Sequence, residues 1–405
     1  MSNEESTKPL RLLSLDGGGV RGLSSLYILQ QLMLDLQHQS ALPTTPKPCD
    51  IFDMIAGTST GGLIAILLGR LRLSVQDAID EYMALSEVIF GSEARKWPWQ
   101  DGRFKATRLE AAVAELVGRY TPTFTVCQDG KDGDEARAEG GGDDEGIALG
   151  AEVLLEERGG GCKVFVCAKN TTDITGPPYL FRSYDESASS SSSTSSSFNS
   201  ANSPDLPLPI GITICEAARA TSAAPIFFQR KTINRNNYAA EFVDGALGAN
   251  NPTRVMLREA KRVFPPERIV DCVVSIGTGK KSISPVTEAG WLQRWVAPSL
   301  PLNTIRAQKD LATSCEAVAD ELERQFDRYR PGVYFRFNVE QGVADVRLDD
   351  YKRLGQLKAR TIGYLAEFGV QVKMRKTAEA LRGGLEEGAE GDGDEGNGKC
   401  RVSDL

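Results

Sequence analysis

Asp53-Met54-Ile55-Ala56-Gly57-Thr58-Ser59-Thr60-Gly61-Gly62, continued by Leu63-Ile64-Ala65-Ile66-Leu67-Leu68, is the stretch on which the reading of this chain turns. An apolar run, a Gly-x-Ser-x-Gly pentapeptide and a second apolar run predict a strand, a sharp turn and a buried helix. Such an elbow lifts the Ser59 hydroxyl into a cleft as a nucleophile, with Gly57 and Gly61 at the tight positions. The backbone N–H of Thr60 then becomes a donor toward charge that develops beside the serine. A bare Gly/Ser turn would carry no such meaning; the flanking apolar runs supply it.

The chain has one histidine, His38. A Ser-His-Asp arrangement needs an imidazole between the hydroxyl and the carboxylate. His38 stands in Gln37-His38-Gln39, at the polar end of a predicted helix, and reads as a surface side chain. The base for Ser59 is therefore expected to be a carboxylate. In Glu241-Phe242-Val243-Asp244-Gly245-Ala246-Leu247, Asp244 ends a short apolar run and Gly245 permits a tight turn into Ala246. Strand C-terminal edges are where open α/β sheets build their sites. Asn250-Asn251-Pro252 then reads as a helix start, with Asn251 as N-cap and Pro252 at the first helical position.

A second glycine loop, Asp16-Gly17-Gly18-Gly19-Val20-Arg21-Gly22, follows the predicted strand Leu10–Leu15 and opens a helix. Consecutive glycines at a helix N-terminus present backbone N–H groups to an anion. Two readings stand. Gly17, Gly19 and Gly22 fit the dinucleotide pattern, which calls for an acid ending a second strand about twenty residues on. Asp35 has that spacing but falls within a helical pattern. Alternatively, Gly17, Gly18 and Gly19 form an oxyanion hole for acyl transfer, a reading that a serine elbow elsewhere strengthens.

The 405 residues are 41% apolar, enough for a large core. No apolar run reaches the roughly eighteen residues of a membrane span, and the polar start, Met1 to Lys8, argues against secretion. The eight cysteines are dispersed without a Cys-x-x-Cys pair, so buried thiols in a cytoplasmic protein are expected, with no metal site. The net charge of −8 is unevenly spread: 128–150 carries −6, 383–405 carries −5 and 185–205 carries −3, leaving +6 on the remainder. A mildly basic body tolerates an anionic surface without pointing to nucleic acid. The acidic, Gly-rich and Ser-rich segments are expected to be disordered insertions at 128–150 and 185–205 and a disordered tail at 376–405.

Elsewhere the pattern alternates in the α/β manner. Strands are expected at Ile51–Ala56, Cys162–Ala168, Arg268–Ile276 and Val333–Phe337, another ending at Val243, and helices at Val75–Phe90, Thr107–Val117, Thr304–Phe326 and Leu348–Gln371. Together, Asp-Gly-Gly-Gly-Val-Arg-Gly, Gly-Thr-Ser-Thr-Gly and Asp-Gly-Ala, in that order, resemble the patatin-like phospholipase family. Ala218-Arg219-Ala220-Thr221-Ser222-Ala223-Ala224-Pro225 and Ser275-Ile276-Gly277-Thr278-Gly279 extend the match. Tyr334-Phe335-Arg336-Phe337-Asn338 looks like fungal members. The resemblance covers about Leu10 to Gly279 and extends to about Val370.

The resemblance implies an α/β fold, a central, mostly parallel sheet sandwiched by helices, in one domain over residues 8–375. It implies lipid acyl hydrolysis by a Ser-Asp dyad, without metal or cofactor. Carried over by position, Ser59 is the nucleophile, Asp244 the base, and Gly17, Gly18 and Gly19 the oxyanion segment, with Arg21 bracing that loop. The substrate expected is a glycerophospholipid or other acyl lipid, met at a membrane surface. Trp97-Pro98-Trp99 and the pair Trp291 and Trp295 are candidate interfacial anchors. The rival readings are a catalytically silent lipid-binding module of the same fold and a nucleotide-dependent oxidoreductase.

Overall fold

The fold is organised by the strand Leu10–Leu15 (β1), whose residues are all buried and point alternately to two faces of one sheet. Leu13 and Leu15 join one core cluster, and Leu10 and Leu12 join the other. A strand buried on both faces needs helices on both. A computed structural model describes residues 8–96, 102–121, 150–157, 161–185, 211–225, 227–235, 238–280, 302–343, 345–386 and 400–405. The expected insertion at 185–205 (Asp185 apart), nearly all of that at 128–150, and Trp97, Trp99, Trp291 and Trp295 lie outside the described residues.

After β1 come helix α1 (Gly22–Gln39), a helical turn α2 (Pro48–Ile51), strand β2 (Met54–Thr58) and helix α3 (Thr60–Ala65). Helices α4 (Val75–Phe90) and α5 (Ala106–Tyr120) precede strands β3 (Lys163–Asn170) and β4 (Tyr179–Arg182). Then follow α6 (Ile214–Thr221), β5 (Lys231–Arg235), β6 (Tyr238–Asp244), α7 (Thr253–Val263) and β7 (Val270–Ile276). The described chain closes with α8 (Leu302–Tyr329), β8 (Tyr334–Phe337), α9 (Leu354–Leu365) and α10 (Phe368–Glu386). The eight strands form one sheet in the order β5-β6-β3-β2-β1-β7-β8, with β4 paired to β3. The pairs from β3 through β2, β1 and β7 to β8 are parallel; β4, β6 and β5 join antiparallel. The fold is thus the expected α/β/α sandwich around a mostly parallel sheet.

The register sets the site. Thr58, the last residue of β2, pairs with Cys167, and the next residue of β3, Ala168, pairs with Asp244 at the end of β6. Ser59 and Asp244 therefore leave neighbouring levels of one sheet edge, on either side of β3. β6 runs antiparallel to β3 and pairs only with its last three residues, Ala168–Asn170, so it stops at the edge where the parallel strands end.

Several boundaries differ from the sequence expectation. The expected strand Ile51–Ala56 begins only at Met54, because Pro48 at the first helical position starts the turn Pro48–Ile51. The helix expected at Pro252 begins one residue later, and Asn251 Oδ1 accepts from the Thr253 N–H at 3.0 Å. The expected single helix Leu348–Gln371 is two, each with its own buried face: Leu357, Thr361 and Tyr364 on α9, and Met374, Thr377, Ala378 and Leu381 on α10. The break lets the second stripe turn toward the core. Helix α10 runs past the expected domain end at 375, and Cys400 and Val402 are buried. The Cys400 carbonyl accepts from the Val270 N–H at 2.6 Å, so the end of the expected tail lies on the sheet. Strands β4 and β5 were not foreseen. On β5 only Ile233 is buried, and an edge strand of this kind has no apolar run to announce it.

Candidate active site

Ser59 has φ 56° and ψ −125°, left-handed backbone in a non-glycine residue between β2 and α3. Backbone strain of this kind concentrates where function over-determines the chain. It belongs to the sharp elbow that the sequence predicts. A Cβ on Gly57 would meet the Gly61 carbonyl oxygen at 2.1 Å, and one on Gly61 the Leu15 carbonyl oxygen at 2.3 Å, so the two glycines let α3 start in backbone contact with β2 and β1.

The half-buried Ser59 hydroxyl donates to Asp244 Oδ2 at 2.6 Å, a short charge-assisted contact. The other carboxylate oxygen accepts from the Ala246 N–H at 2.8 Å, which fixes the rotamer. Asp244 is 1% exposed. Burial pushes its carboxyl up to about 7, against the opposing pull of the hydrogen bonds from Ser59 and Ala246. A carboxylate is a weak base toward a hydroxyl, and desolvation makes this one stronger.

The glycine loop passes directly beside the serine. A Cβ on Gly17 would come within 3.0 Å of Ser59 Cβ and 2.4 Å of Asn250 Oδ1. Each carbonyl of the loop is held from behind. Gly17 O accepts from Thr278 Oγ1 at 2.8 Å and Asn250 Nδ2 at 3.3 Å, Gly18 O from Arg21 Nε at 3.2 Å, and Gly19 O from the Tyr82 hydroxyl at 2.5 Å. Since a carbonyl and the following N–H point opposite ways across a trans peptide, these contacts aim the next N–H groups. The Gly18 N–H donates to Thr60 Oγ1 at 3.0 Å, while the Gly19 N–H has no hydrogen-bond partner among the described residues. Thr60 opens α3, where first-turn N–H groups lack helical partners. By contrast, the Gly17 N–H is committed to the Asn250 carbonyl at 3.2 Å, and Ser59 N–H to Thr221 Oγ1 at 2.9 Å.

The remaining expected residues have structural places. Asp16 is buried in a bidentate ion pair with Arg336. Gly22 packs against Tyr82, where a Cβ would stand 2.5 Å from the hydroxyl, and Gly245 lies against the Cys167 carbonyl. His38 is exposed at the end of α1. Asp35 accepts from Gln31 Nε2 within α1 and ends no strand, which removes the acid that a dinucleotide fingerprint requires. Thr221, Asn250, Thr278, Tyr82 and Arg336 were not singled out as site residues. Thr221, Thr278, Arg336 and Asn250 lie in stretches that the sequence displays, without a role being legible there; Tyr82 carries no local signal.

The sequence model of the patatin-like phospholipase family matches residues 13–257, which contain Ser59, Asp244 and the glycine loop. The chain belongs to the patatin-like phospholipase family. Among its relatives, Phospholipase A I of Arabidopsis thaliana is 27% identical over 84% of this chain and 25% of its own length. Calcium-independent phospholipase A2-gamma of Homo sapiens is 24% identical, covering 92% of this chain and 40% of that protein. The cGAMP-activated phospholipase of Vibrio cholerae is 26% identical over 76% of this chain and 77% of its own. This patatin-like chain thus spans a quarter of the plant relative and less than half of the human one. All three relatives carry the name of phospholipases, which are hydrolases of lipid esters.

Proposed function

We propose that this patatin-like chain is a serine lipid acyl hydrolase, of phospholipase A or lysophospholipase type, that works through a Ser59–Asp244 dyad. The single observation that supports this most is the 2.6 Å hydrogen bond between the elbow serine and a buried carboxylate of raised pKa. Asp244 Oδ2 takes the Ser59 proton as Oγ attacks the acyl carbonyl carbon. The oxygen that becomes negative is met by N–H groups of Gly18, Gly19 and Thr60; Gly18 exchanges its Thr60 Oγ1 partner for it. Collapse of the tetrahedral adduct expels the glycerol-side oxygen, which receives the proton from Asp244. Water, deprotonated by Asp244, then attacks the acyl carbon, and Ser59 Oγ leaves with that proton returned from Asp244, which frees the fatty acid.

The substrate is proposed to be a glycerophospholipid or another acyl lipid, reached by peripheral contact with a membrane from the cytoplasm, and nucleic acid is not a proposed partner. Among the described residues no helix is long and apolar enough to cross a membrane. Incubation with phosphatidylcholine vesicles should yield free fatty acid and lysophospholipid in equal amounts. Vesicle binding without any product would support the silent-module reading instead.

The dyad predicts a pH dependence. Asp244 must be ionised to accept a proton, so kcat/KM on a soluble short-chain ester should rise with pH and reach half its plateau near pH 7, the point to which burial moves this carboxyl. A profile already flat between pH 5 and 8 would remove Asp244 as the base. Metal independence is proposed too, because an oxyanion hole supplies the charge stabilisation that a Lewis acid otherwise gives. Hydrolysis should persist in excess chelator; loss on chelation with recovery on added calcium would contradict this.

A further inference from the structure

Arg336 is a buried charge that the proposed chemistry does not use. It stands on β8, outside the matched residues 13–257, with its side chain 6% exposed. Its guanidinium reaches across β7 to the head of the glycine loop. Nη1 and Nη2 meet Asp16 Oδ1 and Oδ2 at 3.0 and 2.6 Å, a bidentate fork. Nη1 also donates to Ser275 Oγ at 2.9 Å, and Nη2 to Glu316 Oε1 at 3.1 Å. Glu316 in turn accepts from Asn338 Nδ2 at 2.8 Å, and Asn338 Oδ1 accepts from the Gly279 N–H at 2.6 Å. Against the desolvation that burial imposes, Asp16, with Tyr334 and Glu316, holds the guanidinium more firmly protonated than usual. Its Nε has no hydrogen-bond partner among the described residues.

A buried ion pair with an orphaned N–H is a poor device for stability alone, since desolvation offsets much of the Coulomb gain. What this pair does is fix a position. Asp16 is the residue before Gly17, so holding its carboxylate in a fork sets where the oxyanion loop begins. Donors of an oxyanion hole act only when they stand close to the developing charge, and small misplacements by distant groups are costly.

We propose that Arg336 is a positioning residue of the acyl-transfer site, acting through Asp16 on the Gly17–Gly19 loop, so that β8 belongs to the catalytic unit. The inference rests on the acyl-hydrolase reading above. A second buried ion pair in the same molecule serves as a control away from the site. Arg182 meets Glu259 at 2.7 Å with both side chains comparably buried, on β4 and α7, where Glu259 also accepts from Arg262 Nη2 at 2.7 Å and the Tyr184 hydroxyl at 2.7 Å.

The test uses the full chain, a soluble short-chain ester and four readouts: kcat, KM, the pH midpoint and the melting temperature. Arg336→Gln and Arg336→Lys should lower kcat on the order of 10²-fold, with KM and the midpoint near pH 7 unchanged. Arg182→Gln should lose thermal stability and keep the wild-type kcat. Lysine keeps the charge but not the fork, so Arg336→Lys decides the matter if Arg336→Gln does not fold. Wild-type kcat in folded Arg336→Lys, an equal loss of kcat in Arg182→Gln, or failure of both Arg336 variants to fold would overturn the inference. A wild-type protein that hydrolyses no ester would instead sink the acyl-hydrolase reading.

Discussion

Ser59→Ala and Asp244→Asn should each lower kcat/KM on the order of 10⁴–10⁶-fold, and the double variant should be little worse than either. The non-additivity follows from one proton shared between Ser59 Oγ and Asp244 Oδ2 at 2.6 Å. Activity of His38→Ala at the wild-type level is part of the same expectation, because the exposed His38 lies at the end of α1. The two dyad variants should differ in stability. The Asp244 carboxyl, pushed up to about 7 in the fold, lies above its ordinary value of 3.8, so between those pH values the folded chain holds a proton that the unfolded chain has lost. Stability is therefore withdrawn as pH rises through that window, by roughly 4 kcal/mol at the limit. Asparagine carries no charge to desolvate. Asp244→Asn should melt higher than wild type at pH 8 and alike at pH 4, as calorimetry at the two pH values would read. A lower melting temperature at pH 8 would contradict the burial argument.

Gly18→Val should cut turnover on a soluble ester by on the order of 10²–10³, the usual loss when one oxyanion donor fails. The reason is close approach rather than a special dihedral: Gly18 has an extended φ of 178°, but a Cβ there would stand 2.2 Å from Thr278 Oγ1. The loop would have to leave Thr278, releasing the Gly17 carbonyl that Thr278 holds. Gly19 differs, with φ +57° and the Leu348 carbonyl oxygen 2.2 Å from an added Cβ. Sedimentation with lipid vesicles should be unchanged for Gly18→Val. Lost sedimentation with intact turnover would make the loop a headgroup site instead.

The sequence displays what is local. The elbow can be read from its glycines and two apolar runs, and the single histidine turns the search toward a carboxylate. The buried runs of β3 and β7 announce a parallel sheet. Less legible is whatever depends on long-range register. Nothing near Asp244 says that β6 pairs only with the last three residues of β3, yet that register brings its carboxylate to Ser59. Arg336 stands in a stretch that the resemblance includes, but its role cannot be read there, because its partner Asp16 is 320 positions away. The division of Leu348–Gln371 into α9 and α10 was hidden for a different reason: a helical period reports apolar spacing but not where one stripe stops and the next turns.

The central claim is that Ser59 is an activated nucleophile, and covalent trapping tests it most directly. Treated with a fluorophosphonate and mapped by peptide mass spectrometry, the wild-type chain should carry one adduct, on Ser59. Asp244→Asn should label far more slowly. No adduct on folded wild-type protein, or an adduct on another residue, would contradict the account.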